Sequence, residues 1–398
     1  QTPTHIMNTF WFRSMPAENL RSEFEKRFGT PGTVFRAPGR VNLIGEHTDY
    51  NDGYVMPAAI SFDTFAACAG NNSGNLSIQS LQEPEAATFP VHESKPQPVH
   101  NWTDYVRGVL IQLENEGLNF PGANLLIDGQ VPIGAGLSSS AALEVATALA
   151  LLSLSKHSMD STAIAKLCQR AENEFVGFRC GIMDQFASLQ GRGGNALLLD
   201  CRSLDTRLLP LPENVSLVIC NTMVKHSVAH GEYNVRRAEC EAGVRYFAQH
   251  RKTVSALRDV TEDDLRQFGS ELPDVLLRRC KHVVAENARV LAAADALESS
   301  DLKRFGQLMY ESHRSLKDDF EVSCSELDIM VELARKLPGV HGARMTGGGF
   351  GGCTINLVER SEARAFREQI INAYQHATQI RPEVYITHAA PGAGPAIE

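Results

Sequence analysis

Two apolar periods alternate along the chain, one helical and one strand-like. Residues 17–28 place Leu20, Phe24 and Phe28 at helical spacing, and the Gly-Thr-Pro-Gly break at 29–32 ends that helix. The apolar run 41–44 (Val-Asn-Leu-Ile) suits a buried strand, and 54–56 and 62–69 read as two more. Residues 71–100 are polar and proline-containing, which predicts a surface excursion with weak edge strands. Residues 102–113 predict a helix with Tyr105, Val109 and Leu113 on one stripe, and 123–127 a strand. An apolar helix is expected at 141–154. A second follows at 161–175, burying Ile164, Cys168, Ala171 and Phe175. Strand alternation returns at 196–200 and 216–220 around the prolines of 210–212. Beyond them, 225–237 leads into a long helix, 251–336 keeps helical spacing, and 353–358 reads as a strand. The tail 389–398, rich in Gly, Pro and Ala, is expected to be loosely held, and no internal repeat is visible.

With 398 residues the chain has room for two domains, and the break near 210 divides it into 1–210 and 211–398. Hydrophobic content of 43% and charged content of 21% are ordinary for a globular protein with a sizeable core. A net charge of -9 argues against nucleic acid or an anionic membrane as the main partner, but not against a nucleotide held by local groups. Nine dispersed cysteines without a C-x-x-C pair fit reduced thiols, hence a cytoplasmic setting without disulfides or a zinc site. The most apolar run, 141–154, carries Glu144 and is too short to span a bilayer. No secretory signal is recognised at the start. The first half-dozen residues read as an expression scar, with Met7 as the expected native start.

Chemistry concentrates at 36–53, RAPGRVNLIGEHTDYNDG, where Arg40, Glu46, His47 and Asp49 fall within ten residues at the end of the 41–44 strand. Two carboxylates beside an imidazole can grip a polyol through hydrogen bonds at fixed angles. A solvated turn with a surface ion pair is the alternative, since Asp52-Gly53 also makes a good hairpin turn. A second concentration, QVPIGAGLSSSAA at 130–142, runs strand, glycine turn, serines, helix. A helix start exposes N–H groups and partial positive charge, Gly134 and Gly136 let the backbone approach a ligand, and Ser138, Ser139 and Ser140 add hydroxyls. Capping the helix would use one serine, leaving two more and the glycines unexplained; no Gly-Lys-Ser/Thr follows, so this is not a Walker A loop. Glu172, beside the buried stripe of its helix, is either solvated or aimed into a cleft. Asp184, in GFRCGIMDQFAS, is either a helix cap or a catalytic carboxylate. RMTGGGFGG at 344–352 holds five glycines, which points to a close backbone approach or a flexible turn.

GRVNLIGEHTDYN at 39–51 resembles the signature of galactokinases, within the GHMP superfamily that includes homoserine, mevalonate and phosphomevalonate kinases. The stretch 132–141 matches that superfamily's second motif, P-x-G-x-G-L-S-S-S-A, and 344–352 its third; 310–324 is also similar to the family. The likeness runs from about 34 to 388 and is weakest over 71–100.

The resemblance implies an α+β, two-domain fold with the active site in the interdomain cleft, the final strand and tail packing back on the first domain. It implies transfer of the terminal phosphoryl group of ATP to α-D-galactose, giving galactose 1-phosphate, with Mg2+. Asp184 would be the base, and Arg40 would be the neighbouring guanidinium that keeps it ionised and stabilises the moving phosphoryl group. Glu46, His47, Thr48, Asp49, Gly181, Asp184 and Tyr233 would hold the sugar; unaided, Tyr233 reads as an ordinary interface tyrosine. Gly134, Ala135, Gly136, Leu137, Ser138, Ser139 and Ser140 would cradle the phosphates, and Ser140 with Glu172 would hold the magnesium. The third motif would lie against the phosphate loop. A monomer with only small-molecule partners is expected. Two rivals share the frame: a kinase for another sugar, such as N-acetylgalactosamine or arabinose, and a non-catalytic galactose- and ATP-sensing regulator. The latter is expected to lose part of the serine loop, which is intact here.

Overall fold

A computed structural model describes residues 16–155, 157–225 and 229–396; Met7 and residues 226–228 of the 225–237 stretch lie outside them. The chain runs α1 (Pro16–Phe28), β1 (Thr33–Asn42), β2 (Tyr54–Val55), β3 (Pro57–Gly70), β4 (Asn75–Ser80), β5 (Ala87–Pro90), α2 (Thr103–Asn115) and β6 (Ala123–Gly129). Then come α3 (Ser139–Ser155), α4 (Ser161–Arg170), α5 (Met183–Gln190), β7 (Asn195–Asp200) and β8 (Thr206–Pro210). The rest comprises β9 (Val215–Lys225), α6 (Ala229–His250), α7 (Glu262–Phe268), α8 (Asp274–Glu298), α9 (Leu302–Asp318) and α10 (Ser325–Ala334). It closes with β10 (Val340–Thr346), β11 (Gly351–Glu359), α11 (Ala363–Thr378), β12 (Glu383–Thr387) and β13 (Gly394–Pro395).

The larger sheet has the order β13-β1-β3-β6-β4-β5, with only β4 and β6 parallel. The second, β10-β11-β9-β12, is antiparallel, and β2-β7-β8 forms a small third sheet. Helix α3 is apolar on nearly every side and packs on β1 and β3 with α2, α4 and α5 around it, so its N-terminus is fixed by a full shell of neighbours. Apart from β13, the strands of the larger sheet precede residue 210 and those of the second follow it, but the core runs across that point. Val41, Leu43 and Ile44 share one apolar cluster with Leu217, Ile219, Ile355, Leu357 and Phe305.

Several elements differ from the periodicity reading. Residues 75–80 form an inner strand, not a weak edge, because Leu76 and Ile78 alternate with half-buried residues and pair in parallel with β6. The strand read at 62–69 starts at 57, since β1 supplies a partner for that whole length. The helix read at 161–175 ends at Arg170 and widens into a π turn, Ala171–Val176, closed by Gly177 in the left-handed region. Residues 340–346 are a strand, so Arg344 lies in a ladder rather than a glycine turn. The tail is not loose: Ala390 N–H bonds Ala59 O, Gly392 N–H bonds Gly191 O, and Ala396 N–H bonds Val34 O. It packs back on the first sheet as β13.

Candidate active site

A cavity of about 400 Å³ opens where the start of α3, the 45–49 loop, the 178–184 loop, α6 and the 346–352 turn converge. At its centre the guanidinium of Arg40, on β1, makes a two-pronged bond to Asp184: Nε to Oδ1 at 2.8 Å and Nη2 to Oδ2 at 2.8 Å. Its third nitrogen donates to Gly136 O at 2.7 Å, and the Ser138 hydroxyl donates to Asp184 Oδ2 at 2.6 Å. Burial works against the charge on Arg40, but the carboxylates of Asp184 and Glu46 outweigh it and raise its pKa. Sequence positions 40, 136, 138 and 184 thus meet within one hydrogen-bonded knot.

The glycines of 134–136 serve close approach. Gly134 and Gly136 have φ of 71° and 75°, which a side chain would resist. On the far side, a Cβ at Gly347 would lie 2.9 Å from Gly136 O, and one at Gly352 3.2 Å from Ala135 O. The third glycine motif therefore lies backbone to backbone against the serine loop, as the resemblance implied.

Glu172, on the π turn, is buried. Its Oε2 accepts from Cys180 Sγ at 3.3 Å and from Gln185 Nε2 at 3.1 Å, and the Ser140 hydroxyl bonds to the same carboxylate. Burial, and then the charge of Asp184, push its carboxyl up to about 7. Gln185 also bridges to Glu144, whose carboxyl is raised by burial and by Glu172 and whose Oε1 has no partner. Crowded hard oxygens whose charge is penalised suit a divalent cation, and one hydroxyl with one carboxylate suits magnesium that keeps phosphate and water ligands. No cluster of three His, Cys, Asp or Glu ligands exists among the described residues.

On the other side of Asp184 lies the 45–49 loop. Glu46 is buried, with Oε1 accepting from Gly347 N–H at 2.8 Å and Arg344 Nη1 at 3.3 Å; burial raises its pKa and Arg344 opposes. Asp49 is pushed up to about 7, by burial first and by Asp184 second. Gly181 packs against it, and Tyr233 on α6 completes the wall beside Phe178 and His47, with ring centroids at 4.9 and 5.4 Å. His47 has φ of 63° and both ring nitrogens occupied. Gly348 O, which only accepts, lies 3.2 Å from Nε2, so Nδ1 accepts from the Tyr50 hydroxyl at 2.9 Å. Burial pulls its pKa down to about 3, so the ring is neutral and shapes the wall. Thr48 does not face the cavity. It is fully buried, and its hydroxyl reaches Gly45 O and Tyr54 O, which fixes the turn.

Sequence reasoning missed Arg344, Gln185, Phe178 and Phe350, and read Glu144 only as a charge interrupting an apolar run. All five are at or directly behind the cavity. A lone glutamate inside an otherwise apolar helix was the one available signal.

The galactokinase galactose-binding signature matches residues 22–70, the GHMP kinases N terminal domain 104–192 and the GHMP kinases C terminal 293–376. The chain is 45% identical over 376 residues to a galactokinase of Roseiflexus sp. (strain RS-1), covering 94% of this chain and 96% of that one. It is 47% identical over 356 residues to a galactokinase of Chloroflexus aggregans (strain MD-66 / DSM 9485), covering 89% and 91%. Lactococcus lactis galactokinase complexed with galactose superposes with a TM-score of 0.91 at 34% identity, covering 95% of this chain and 99% of that one. A mevalonate kinase at 17% identity shares the fold, with a TM-score of 0.63.

Proposed function

This chain belongs to the galactokinase family of the GHMP kinases, and from that membership we propose how its cleft transfers the terminal phosphoryl group of ATP to the C1 hydroxyl of α-D-galactose. The products are galactose 1-phosphate and ADP. One observation carries the reading: Arg40 and Asp184 form a two-pronged pair between a helix-start loop suited to phosphates and a pocket of carboxylates suited to a sugar.

Asp184 accepts the proton of the sugar hydroxyl as it attacks, and Ser138 and Arg40 keep both carboxylate oxygens aimed. Arg40, already in contact with Gly136 O, offsets charge on the moving phosphoryl group. Gly134 to Ser140 receive the phosphates through backbone N–H groups and hydroxyls at the start of α3. Glu46 and Asp49 accept from sugar hydroxyls, with Tyr233 and His47 as walls. Ser140 and Glu172 would hold a magnesium ion, which would supply charge neutralisation on the phosphates. The reading includes a domain division near 210, a monomer, and a cytoplasmic setting; nine free cysteines support the last. Among the described residues no helix is long and apolar enough to cross a membrane.

The intact serine loop favours a kinase over a sensor. Mixing the protein with ATP, magnesium and a sugar panel tests this: ADP release with galactose and a phosphorus signal on C1 are expected. Release within about threefold for glucose would make it a broader sugar kinase, since a buried acceptor left unpaired should discriminate by far more.

A further inference from the structure

The 45–54 segment is held from behind by three residues on one face of α8. Glu286 accepts from Gly45 N–H at 2.9 Å through Oε1, which also takes the Ser312 hydroxyl at 2.5 Å; Oε2 takes Arg289 Nε at 2.7 Å. One turn earlier, His282 Nε2 donates to Glu46 O at 3.1 Å. One residue later, Asn287 Oδ1 accepts from Tyr54 N–H at 2.9 Å. The segment is therefore pinned at both ends, and its contact with α8 is close. Gly45 has φ of 99°, and a Cβ there would lie 2.9 Å from the Val290 side chain of α8 and 2.7 Å from Tyr54 O.

Glu286 is fully buried, yet its carboxyl is held down at about 2: burial opposes the charge, and Arg289, His282 and Arg344 overcome it. A buried carboxylate is costly unless each oxygen is satisfied. Apolar packing would serve stability alone more cheaply. Here Ser312 and Arg289 hold the carboxylate so that one oxygen also takes the peptide N–H of Gly45, immediately before the residue whose carboxyl faces the cavity.

We propose that Glu286 is a positioning residue for sugar recognition: by holding Gly45 N–H it fixes the directions in which Glu46 and Asp49 present their carboxylates, and so sets both galactose affinity and epimer selectivity. This rests on the reading that the 45–49 loop holds the sugar. In Glu286→Gln the amide nitrogen has to face either Gly45 N–H or Arg289, both of which only donate, so one contact becomes donor against donor. Ser312→Ala removes a single bond from the same oxygen and is the milder probe.

Steady-state kinetics on the full chain, with galactose, glucose and ATP varied in turn, decide the matter. Glu286→Gln is expected to raise the galactose KM about tenfold or more, with kcat within about threefold, ATP KM unchanged and the galactose-to-glucose ratio of kcat/KM reduced. Ser312→Ala is expected to shift the same quantities in the same direction by less. If both variants lower Tm but keep the galactose KM and the sugar ratio, the residue is structural and the proposal fails. If Glu286→Gln does not fold, an unchanged galactose KM in Ser312→Ala overturns it alone. Asp49→Ala runs alongside. A raised KM there with no shift in the α8 variants defeats this inference and leaves the sugar reading standing. An unchanged KM in Asp49→Ala defeats both.

Discussion

A Cβ on Gly181 would stand 1.8 Å from Oδ2 of Asp49, so the carboxylate occupies the space any side chain at 181 would need. The glycine is required by a neighbour 132 positions away in sequence, not by its own backbone angles.

Gly181→Ala should therefore displace Asp49 and weaken galactose, while the serine loop keeps its hold on ATP. Overpacking of this kind costs about 1–3 kcal/mol, or roughly five- to 150-fold in galactose KM. Separate KM values for sugar and nucleotide check it. Equal losses for both would mean that the whole cleft has shifted.

Asp184→Asn is close in size but removes the base, and its amide nitrogen sets one prong of the Arg40 contact donor against donor. Galactose and ATP should still bind, with kcat reduced roughly 10²-fold or more. A variant that keeps more than half the wild-type kcat would remove Asp184 from the chemistry.

The raised carboxyl of Asp49 sets a pH dependence. In the ligand-free protein it titrates at about 7, driven up by burial and Asp184 and pulled back by Tyr50 N–H and Arg237; Glu46 is raised by burial as well. Accepting sugar hydroxyls needs the ionised form. As pH falls through 7, Asp49 protonates and galactose affinity should drop up to about tenfold per pH unit. Above that point affinity should level off. Calorimetric titration of galactose without nucleotide or metal between pH 5.5 and 8 measures this, and Asp49→Asn should flatten the profile. A wild-type affinity independent of pH across that range would show that Asp49 is not the acceptor.

Ser140→Ala combined with Glu172→Ala removes both protein oxygens assigned to the metal. The magnesium concentration at half-maximal rate should rise at fixed ATP, and an unchanged midpoint would put the ion elsewhere.

The parts of the site legible in sequence are those whose chemistry lies within a short run. The strand, glycine turn, serines and helix of 123–155 could be read directly, as could the crowding of Arg40, Glu46 and Asp49. The pairing of Arg40 with Asp184 came from residue type and resemblance, and it is present at 2.8 Å. Other features stayed hidden for physical reasons. Glu286 and His282 bond to backbone groups 236 or more positions away, and on a helix they look like ordinary solvated positions. Periodicity reads a continuous helix through Phe175, since a single widened turn barely alters apolar spacing over so few residues, although that turn carries Glu172. Thr48 looked like a sugar ligand by its place in the motif, but its hydroxyl serves the turn that aims its neighbours.

The pairing of β13 with β1 bears on how the chain is made. β1 carries Arg40 and lies second from the edge only because residues 394–395 cover it, at Phe35 and Arg36. On the ribosome that edge is bare while nearly all the remaining sequence is synthesised, and an uncovered strand edge is a template for pairing with another chain. A truncation that spares every cavity residue but ends before 394 would leave that stretch at Phe35 and Arg36 uncovered for good, and is expected to aggregate more readily than the full chain.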